Sequence, residues 1–495
     1  MGERKYNMKA VLFYPQIENS FRASAVPLGI LSIASFLKSK GHDAVICDRF
    51  FTSEKADATL KRLKPDIIGV SVMSNVFIKD AMDIAKEAKK LGIPVVWGGS
   101  LASVIPEEIL RSGLGDYVSF NEGEFTWLEM AEAFDKGEPF DSIKGLGYIR
   151  NGEYIRTENR EFIDLSVLPK LDWTIIDPKQ YFQMGYGYDK MITTYFSKGC
   201  TGRCTFCYNH KFHCSTRRQR PLEYVIEEMR CLIDEHGAGG FDFTDDLMFA
   251  NREQVDEFCN AMLDSGLSTK WSGYLSVGVV NDAEGYELLY KSGCRSMIYG
   301  VESGSPRILK SVGKNMKLDK IKSNIELCAK SGIVPIVMFM LGFPDETEED
   351  IKATINLAKS LEGGMVVFGF YTPIPGSKMY EQLIESGKIV PLQTLDDHAN
   401  VNFAEQVSVN VSAVSTLELS VIRKYFRLRG LTYKSANSSD EQLLKVIKNT
   451  IKSMSGRGLK HFIRGGFYSF FSLASAFKVF LHPKIRKKYG LYFTK

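Results

Sequence analysis

Short apolar runs rich in β-branched residues alternate with helical stretches twice along this chain, which restricts it to parallel sheets covered by helices. The first series has runs at Ala10–Tyr14, Ala44–Cys47, Ile67–Met73 and Pro94–Trp97, with helices predicted over Gly29–Lys40 and Val76–Leu91. Gly41 and Gly92 follow those helices where a left-handed cap is wanted. This series predicts a doubly wound, Rossmann-like α/β domain over residues 1–155. A stretch with Pro169, Asp172 and Pro178 and weak periodicity reads as a connector over residues 156–189, wrapped on the surface. The second series, over residues 190–399, has six runs: Met191–Phe196, Phe241–Thr244, Trp271–Ser276, Ser296–Val301, Val334–Leu341 and Met365–Tyr371. Helices such as Leu222–His236 and Thr347–Leu361 separate them, and six β/α units are two short of a full barrel, so a partial (β/α)6 barrel is predicted. Residues 400–495 read as a helical extension.

The composition, 44% hydrophobic and 25% charged over 495 residues, is that of a globular multidomain protein. The start, MGERKYNMKAVLFYP, lacks the charged and apolar regions of a secretory signal, so a cytoplasmic location is expected. Nine cysteines in such a compartment do not make a disulfide framework, and attention falls on those with ligand spacing.

Directly after the first barrel strand stands Ser197-Lys198-Gly199-Cys200-Thr201-Gly202-Arg203-Cys204-Thr205-Phe206-Cys207-Tyr208, a Cys-x3-Cys-x2-Cys spacing. Three thiolates on one loop can hold three irons of a four-iron cluster and leave the fourth open to a non-protein ligand. A structural zinc site is the alternative, with Cys214, His213 or His210 as fourth ligand. Spacing alone leaves both open. The residue types and the strand-end setting resemble the radical S-adenosylmethionine (SAM) family. That resemblance implies that Cys200, Cys204 and Cys207 bind a 4Fe–4S cluster, that SAM chelates the open iron, and that Phe206 lies near adenine. One electron from the cluster then cleaves SAM to methionine and a 5′-deoxyadenosyl radical.

Further strand ends carry matching segments. Asp245 and Asp246 end the second strand, where paired carboxylates suit the SAM ammonium or a substrate cation, or simply a helix N-terminus. Glu302 and Ser303, in Tyr299-Gly300-Val301-Glu302-Ser303-Gly304-Ser305, resemble the family's ribose contact, and Gly342 resembles its segment close to adenine. Ser276 ends Trp271-Ser272-Gly273-Tyr274-Leu275-Ser276, which departs from many relatives in having no arginine after the tryptophan.

In an open α/β sheet, ligands sit beyond the C-terminal strand ends. In the first domain these carry Tyr14-Pro15, Ser71 to Ser74 and Gly98-Gly99-Ser100. With Leu28 in Pro27-Leu28-Gly29, and with Glu122 and Gly123 in Asn121-Glu122-Gly123-Glu124, they resemble the domain that precedes the barrel in cobalamin-dependent, class B radical SAM enzymes. Cobalamin is therefore the expected ligand. A dinucleotide is disfavoured because no Gly-x-Gly-x-x-Gly follows the first strand. His42, the domain's one histidine, reads as a surface turn residue, so cobalt without a protein histidine ligand is expected.

By the family's logic, the leading expectation is an enzyme that methylates an unactivated carbon: SAM methylates cob(I)alamin, and a substrate radical made with a second SAM takes the methyl group. Ring-forming, ring-contracting or oxidative cyclase chemistry without methyl transfer is the alternative, and a non-catalytic cobalamin or redox sensor is a third. The partners implied are a small-molecule, lipid or tetrapyrrole-like substrate and a low-potential electron donor. From Gln442 to Lys495 there are 12 Lys/Arg and no Asp/Glu, around an aromatic run from Gly465 to Leu481. That tail suits peripheral contact with an anionic membrane, or a helix over the barrel mouth. Its aromatics are contiguous rather than interleaved with basic residues, which argues against nucleic acid.

Overall fold

The structure is a computed structural model and describes residues 7–16, 25–184, 188–314, 316–401, 409–431 and 482–491. The chain forms two compact units: Met1–Met248 with Ala261–Trp271 and Pro373–Phe403, and Phe249–Asn260 with Ser272–Thr372 and Ala404–Lys495.

The first unit contains a seven-stranded sheet of β1 (Lys9–Tyr14), β2 (Asp43–Asp48), β3 (Ile67–Ser71), β4 (Val95–Gly98), β5 (Tyr117–Ser119), β6 (Leu146–Arg150) and β7 (Glu153–Arg156). Their spatial order is β2-β1-β3-β4-β5-β6-β7. The first five strands run parallel. β6 and β7 add an antiparallel hairpin. Five of the six residues of β1 are buried, because helices such as Leu28–Ser39 and Ile78–Lys90 cover both faces of a parallel sheet. Gly41 and Gly92 take the expected left-handed conformation.

The connector is less superficial than its sequence implies. Asp164, Asp172 and Asp177 each accept a bond from the backbone N–H two residues on and start short 3-10 turns at Leu165–Val167, Trp173–Ile175 and Pro178–Tyr181. Those turns press Leu165, Trp173 and Tyr181 into the interior.

Beyond the connector the same unit holds β8 (Met191–Thr194), β9 (Ser197–Gly199), β10 (Arg217–Gln219) and β11 (Gly240–Phe243). β8 and β11 are parallel, whereas β9 and β10 form a small antiparallel ribbon absent from the sequence expectation. β12 (Lys270–Tyr274) carries the chain from one unit to the other. In the second unit β13 (Cys294–Glu302), β14 (Val334–Leu341) and β15 (Met365–Phe370) are parallel, with crossover helices Leu318–Lys330 and Glu348–Ser360. The barrel strands lie in chain order, β15-β14-β13-β12-β11-β8, as consecutive β/α units require.

The helix Thr416–Leu431 covers β15, with Phe426 4.4 Å from Phe368 between ring centres and the Arg423 guanidinium donating to the Phe368 carbonyl. The aromatic run Gly465 to Leu481 lies outside the described residues, as does most of the basic tail. Of the tail's described residues, Lys488 pairs with Glu348 at 2.6 Å and Glu418 at 2.8 Å. Among the described residues no helix is long and apolar enough to cross a membrane.

Candidate functional site

β9 delivers the chain into the cysteine loop through Gly199, at φ 83. A Cβ there would stand 2.3 Å from the Thr216 carbonyl oxygen, so no other residue fits. Pairing of β9 with β10 closes the loop on itself. Within it the Cys207 N–H donates to the Cys204 carbonyl at 3.1 Å. The N–H groups of Gly202 and Asn209 donate to the sulfurs of Cys200 at 3.3 Å and Cys207 at 3.4 Å. Burial pushes the Cys207 thiol up to about 11 against the Asn209 N–H; Asp246, Cys204 and Cys200 add to the effect. Burial and its neighbours thus oppose ionisation of Cys207, and a bound cationic centre would relieve this.

The three alternative fourth ligands face elsewhere. His210 Nδ1 meets the Cys207 carbonyl at 2.9 Å, His213 Nε2 lies 3.8 Å from Asp246, and the Cys214 thiol is directed at the Lys211 carbonyl. Three thiols on one loop, two of them with an N–H···S contact and none joined by these other groups, fit a cluster with one open iron better than a closed zinc site. Phe206 is half-buried beside them.

The strand-end acids divide into two kinds. Asp245 is buried, and its carboxylate accepts from the N–H groups of Phe196 and Ser197 and from the Ser197 hydroxyl. It is a strut under the entrance to the cysteine loop, not a group presented to a ligand. Asp246, 48% exposed, accepts from the Gly199 N–H and faces the loop.

In the second unit, Glu302 sits at a register shift between β13 and β14 with φ 70, and Lys314 holds one of its oxygens at 2.8 Å. Ser303 is fully buried and bonds Thr354, so it too is structural. Gly342, φ 90, would put a Cβ 3.3 Å from Leu419, and its N–H donates to buried Glu346 at 2.6 Å. Ser276 is exposed beyond β12.

In the first sheet the chain order reverses between β1 and β3, and ligand crevices open at such a point. Tyr14 ends β1 and Pro15 follows it, and Ser71 ends β3 with Ser74 beyond it and Met73, half exposed, between the two serines. Leu28 starts its helix and is partly exposed. The glycine pair has split duties. Gly99, φ 93, lies so close to Val72 that a Cβ would sit 2.7 Å from the Val72 carbonyl oxygen, whereas beside Gly98 the nearest atom is 4.0 Å away. Gly99 therefore packs strand against strand, and Gly98 leaves open surface. Ser100 donates to the Met73 carbonyl at 3.0 Å and bonds the Tyr208 hydroxyl of the cysteine loop.

Glu122 is not open to a ligand either: Arg218 grips it with two bonds, of 2.7 and 2.8 Å. Burial opposes its charge, but Lys198 and Arg218 outweigh burial and hold the carboxyl below the usual carboxylate range. Gly123 is packed against Ile33 and Trp127. His42 is mostly buried, 3.5 Å from Asp135, rather than a free surface residue. It precedes β2 and so stands at the sheet edge opposite Tyr14. A cavity of about 620 Å³ in this unit is lined by Ser103, Asn121, Arg156, Lys211, Tyr380 and His398 among others. Sequence reading did not find Lys198, Arg218 or His398, whose surroundings come from distant parts of the chain.

Comparison with known proteins gives the same two parts. Residues 194–358 match the radical SAM superfamily, and residues 19–130 match the B12 binding domain. An uncharacterized methyltransferase of Pyrococcus horikoshii, PH0819, is 29% identical over 396 residues, 78% of this chain and 85% of that protein. An anaerobic magnesium-protoporphyrin IX monomethyl ester cyclase of Cereibacter sphaeroides is 24% identical over 490 residues, 93% of this chain and 78% of that one. In fold, the radical SAM methyltransferase TsrM of Kitasatospora setae, solved with cobalamin and a 4Fe–4S cluster bound, matches with a TM-score of 0.66 at 19% identity, over 77% of this chain and 78% of that one. With both domains in one chain and the three-cysteine loop inside the second, this protein belongs to the cobalamin-binding radical SAM enzymes, whose cofactors are a 4Fe–4S cluster, SAM and cobalamin.

Proposed function

We propose that this enzyme transfers a methyl group to an unactivated carbon of a small molecule. The observation that carries the reading is a three-thiol loop directly after β9 in the same compact unit as a parallel sheet whose order reverses beside Tyr14 and Ser71. When bound, the cluster and SAM supply a carbon radical able to take hydrogen from a C–H bond, and the corrinoid supplies a carrier for the methyl group.

The chain's own residues bind and orient these groups. Cys200, Cys204 and Cys207 hold the cluster, Phe206 lies against adenine, and Asp246 accepts the SAM ammonium. Glu302 accepts ribose hydroxyls, and its left-handed backbone is the kind of strain that persists at binding sites. Gly342 and Ser276 remain as rim positions for SAM. Tyr14, Pro15, Leu28, Ser71, Ser74, Gly98 and Ser100 form the corrinoid rim. His42 takes no part, which supports cobalt without a protein histidine ligand. The proposed division is residues 1–155 for the corrinoid, 156–189 as connector, 190–399 for radical chemistry and 400–495 as extension, with a low-potential donor supplying electrons.

Ring closure on a tetrapyrrole-like substrate is the second reading. Its support is the cyclase match, which runs over 93% of the chain against 78% for PH0819. The test is anaerobic protein from a cobalamin-fed host, assayed for iron, sulfide and cobalt and then given SAM and reductant. About four irons and one cobalt per chain are expected. Methyl transfer releases S-adenosylhomocysteine and 5′-deoxyadenosine in equal amounts, and ring chemistry releases 5′-deoxyadenosine alone. Release of neither from protein with an intact cluster would overturn both readings.

A further inference from the structure

Two cations and two carboxylates meet beside the cysteine loop. β9 and β10 pair so that Lys198 stands opposite Arg218, an arrangement that like charges oppose unless each has its own counterion. Both side chains reach the Glu122-Gly123-Glu124 segment after β5. Arg218 forks onto Glu122, and Lys198 donates to Glu124 at 2.7 Å while lying 3.7 Å from Glu122. The cations are 17% exposed, and Glu122 and Glu124 are 6% and 2% exposed. Three further bonds tie the array to its surroundings. The Ser32 hydroxyl donates to Glu124 at 2.6 Å, the Ile163 N–H donates to Glu122 at 3.4 Å, and Arg218 donates to the Ile163 carbonyl at 2.7 Å.

Such an array adds little net stability, because removing four charges from water offsets most of their attraction. Apolar side chains would attach the ribbon as firmly. What a forked guanidinium and a hydrogen-bonded ammonium add is direction, since their bonds hold only in one orientation. The oriented element is short and leads straight into the ligands: Lys198, Gly199 and Cys200 are consecutive, and Gly199 packs against Thr216 with no space for a side chain.

We infer that Lys198 and Arg218, clasped by Glu124 and Glu122, are positioning residues that fix the orientation of the cysteine loop against the 121–124 loop at the C-terminal edge of the first sheet. The inference deepens the proposed function and rests on it only for the identity of what the thiols hold. SAM geometry at the loop then depends on four side chains that need touch neither SAM nor cluster.

The test uses the full chain with Lys198→Met, Glu124→Gln and the conservative Lys198→Arg. Hydrogen exchange on cluster-free protein reads the loop directly: faster exchange across residues 199–216 is expected in Lys198→Met and Glu124→Gln, with wild-type rates restored in Lys198→Arg. In reconstituted, dithionite-reduced protein, the first two variants should keep wild-type iron content. They should lose the uniform SAM-induced change in the cluster's electron paramagnetic resonance signal, with SAM affinity about tenfold weaker. Glu124→Gln preserves shape and serves where Lys198→Met fails to fold. Wild-type exchange and a wild-type SAM response, with only a lower melting temperature, would overturn the inference. A wild-type protein that takes up no cluster would sink the cluster assignment instead, while the exchange result still decides the role of the array.

Discussion

Replacing Asp245 with alanine removes the acceptor for the backbone N–H groups of Phe196 and Ser197, residues 1% and 3% exposed. The Ser197 hydroxyl loses its 2.6 Å bond too, but the Leu247 carbonyl lies 3.0 Å away and can take it over. Two buried N–H groups are left orphaned, each costing about 1–3 kcal/mol, so the change should destabilise by about 2–6 kcal/mol. That is a large share of the about 5–15 kcal/mol available to a folded protein. Asp246→Ala, at a half-exposed side chain, orphans only the Gly199 N–H, so it should cost about 1–3 kcal/mol, less than Asp245→Ala, and in addition lose SAM binding. All four tryptophans, Trp97, Trp127, Trp173 and Trp271, belong to the first unit, so tryptophan fluorescence in urea follows the unit that holds both acids. SAM affinity is read by equilibrium dialysis on reconstituted protein. The reasoning is refuted if Asp245→Ala unfolds at the wild-type urea midpoint and fails to bind SAM, or if Asp246→Ala is the less stable of the two variants.

Gly199→Ala should assemble markedly less cluster, read as iron per chain, since a left-handed alanine costs about 1–2 kcal/mol before the contact with Thr216 is counted; full iron content would contradict this. Burial pushes the Glu346 carboxyl up to about 8 against the N–H groups of Gly342 and Phe343. Its folded value lies above its unfolded one, so the native state binds the extra proton, and stability present below about pH 4.5 is lost as pH rises towards 8. Glu346→Gln should therefore melt increasingly higher than wild type between pH 5 and 8, and an advantage that shrinks with pH would sink the idea. Burial pushes His398 down to about 4, with Asp397 opposing, and neither ring nitrogen has a hydrogen-bond partner. Its stability contribution is present above about pH 6.5 and lost as pH falls towards 4, so His398→Leu should resist acid better than wild type. Melting curves at pH 7 and pH 5 decide it, and a constant difference between the two proteins counts against the assignment.

Parallel strands were the most legible part of the chain, because burial on both faces forces continuous apolar runs: Val334–Leu341 is both the expected run and β14. The β6–β7 hairpin was readable and went unread. Asn151-Gly152, at φ 53 and 82, is a two-residue turn whose sequence signal stands between Ile149 and Glu153. The β9–β10 ribbon was not readable. Ser-Lys-Gly and Arg-Arg-Gln carry no apolar alternation, and the ribbon is held by carboxylates about a hundred residues away in sequence, 96 for Arg218 and Glu122.

The same distance effect decides which acidic residue at a strand end faces a ligand. Asp245, Asp246, Glu122 and Glu302 look alike in sequence: each follows a predicted strand, where a parallel fold collects polar groups. What separates them is whether the fold brings a donor to the carboxylate. Ser197 reaches Asp245 from 48 residues away and Lys198 reaches Glu124 from 74, so these acids spend their charge holding the cysteine loop. Asp246 is half exposed with a single backbone donor, and Glu302 is held on one oxygen in a strained backbone. A carboxylate saturated by internal donors has nothing left to offer a ligand, and one left partly unsatisfied at a strand end does. That criterion returns Asp245 and Glu122 to the scaffold and is what supports the proposed roles of Asp246 and Glu302, a division that only the long-range pairing could have made.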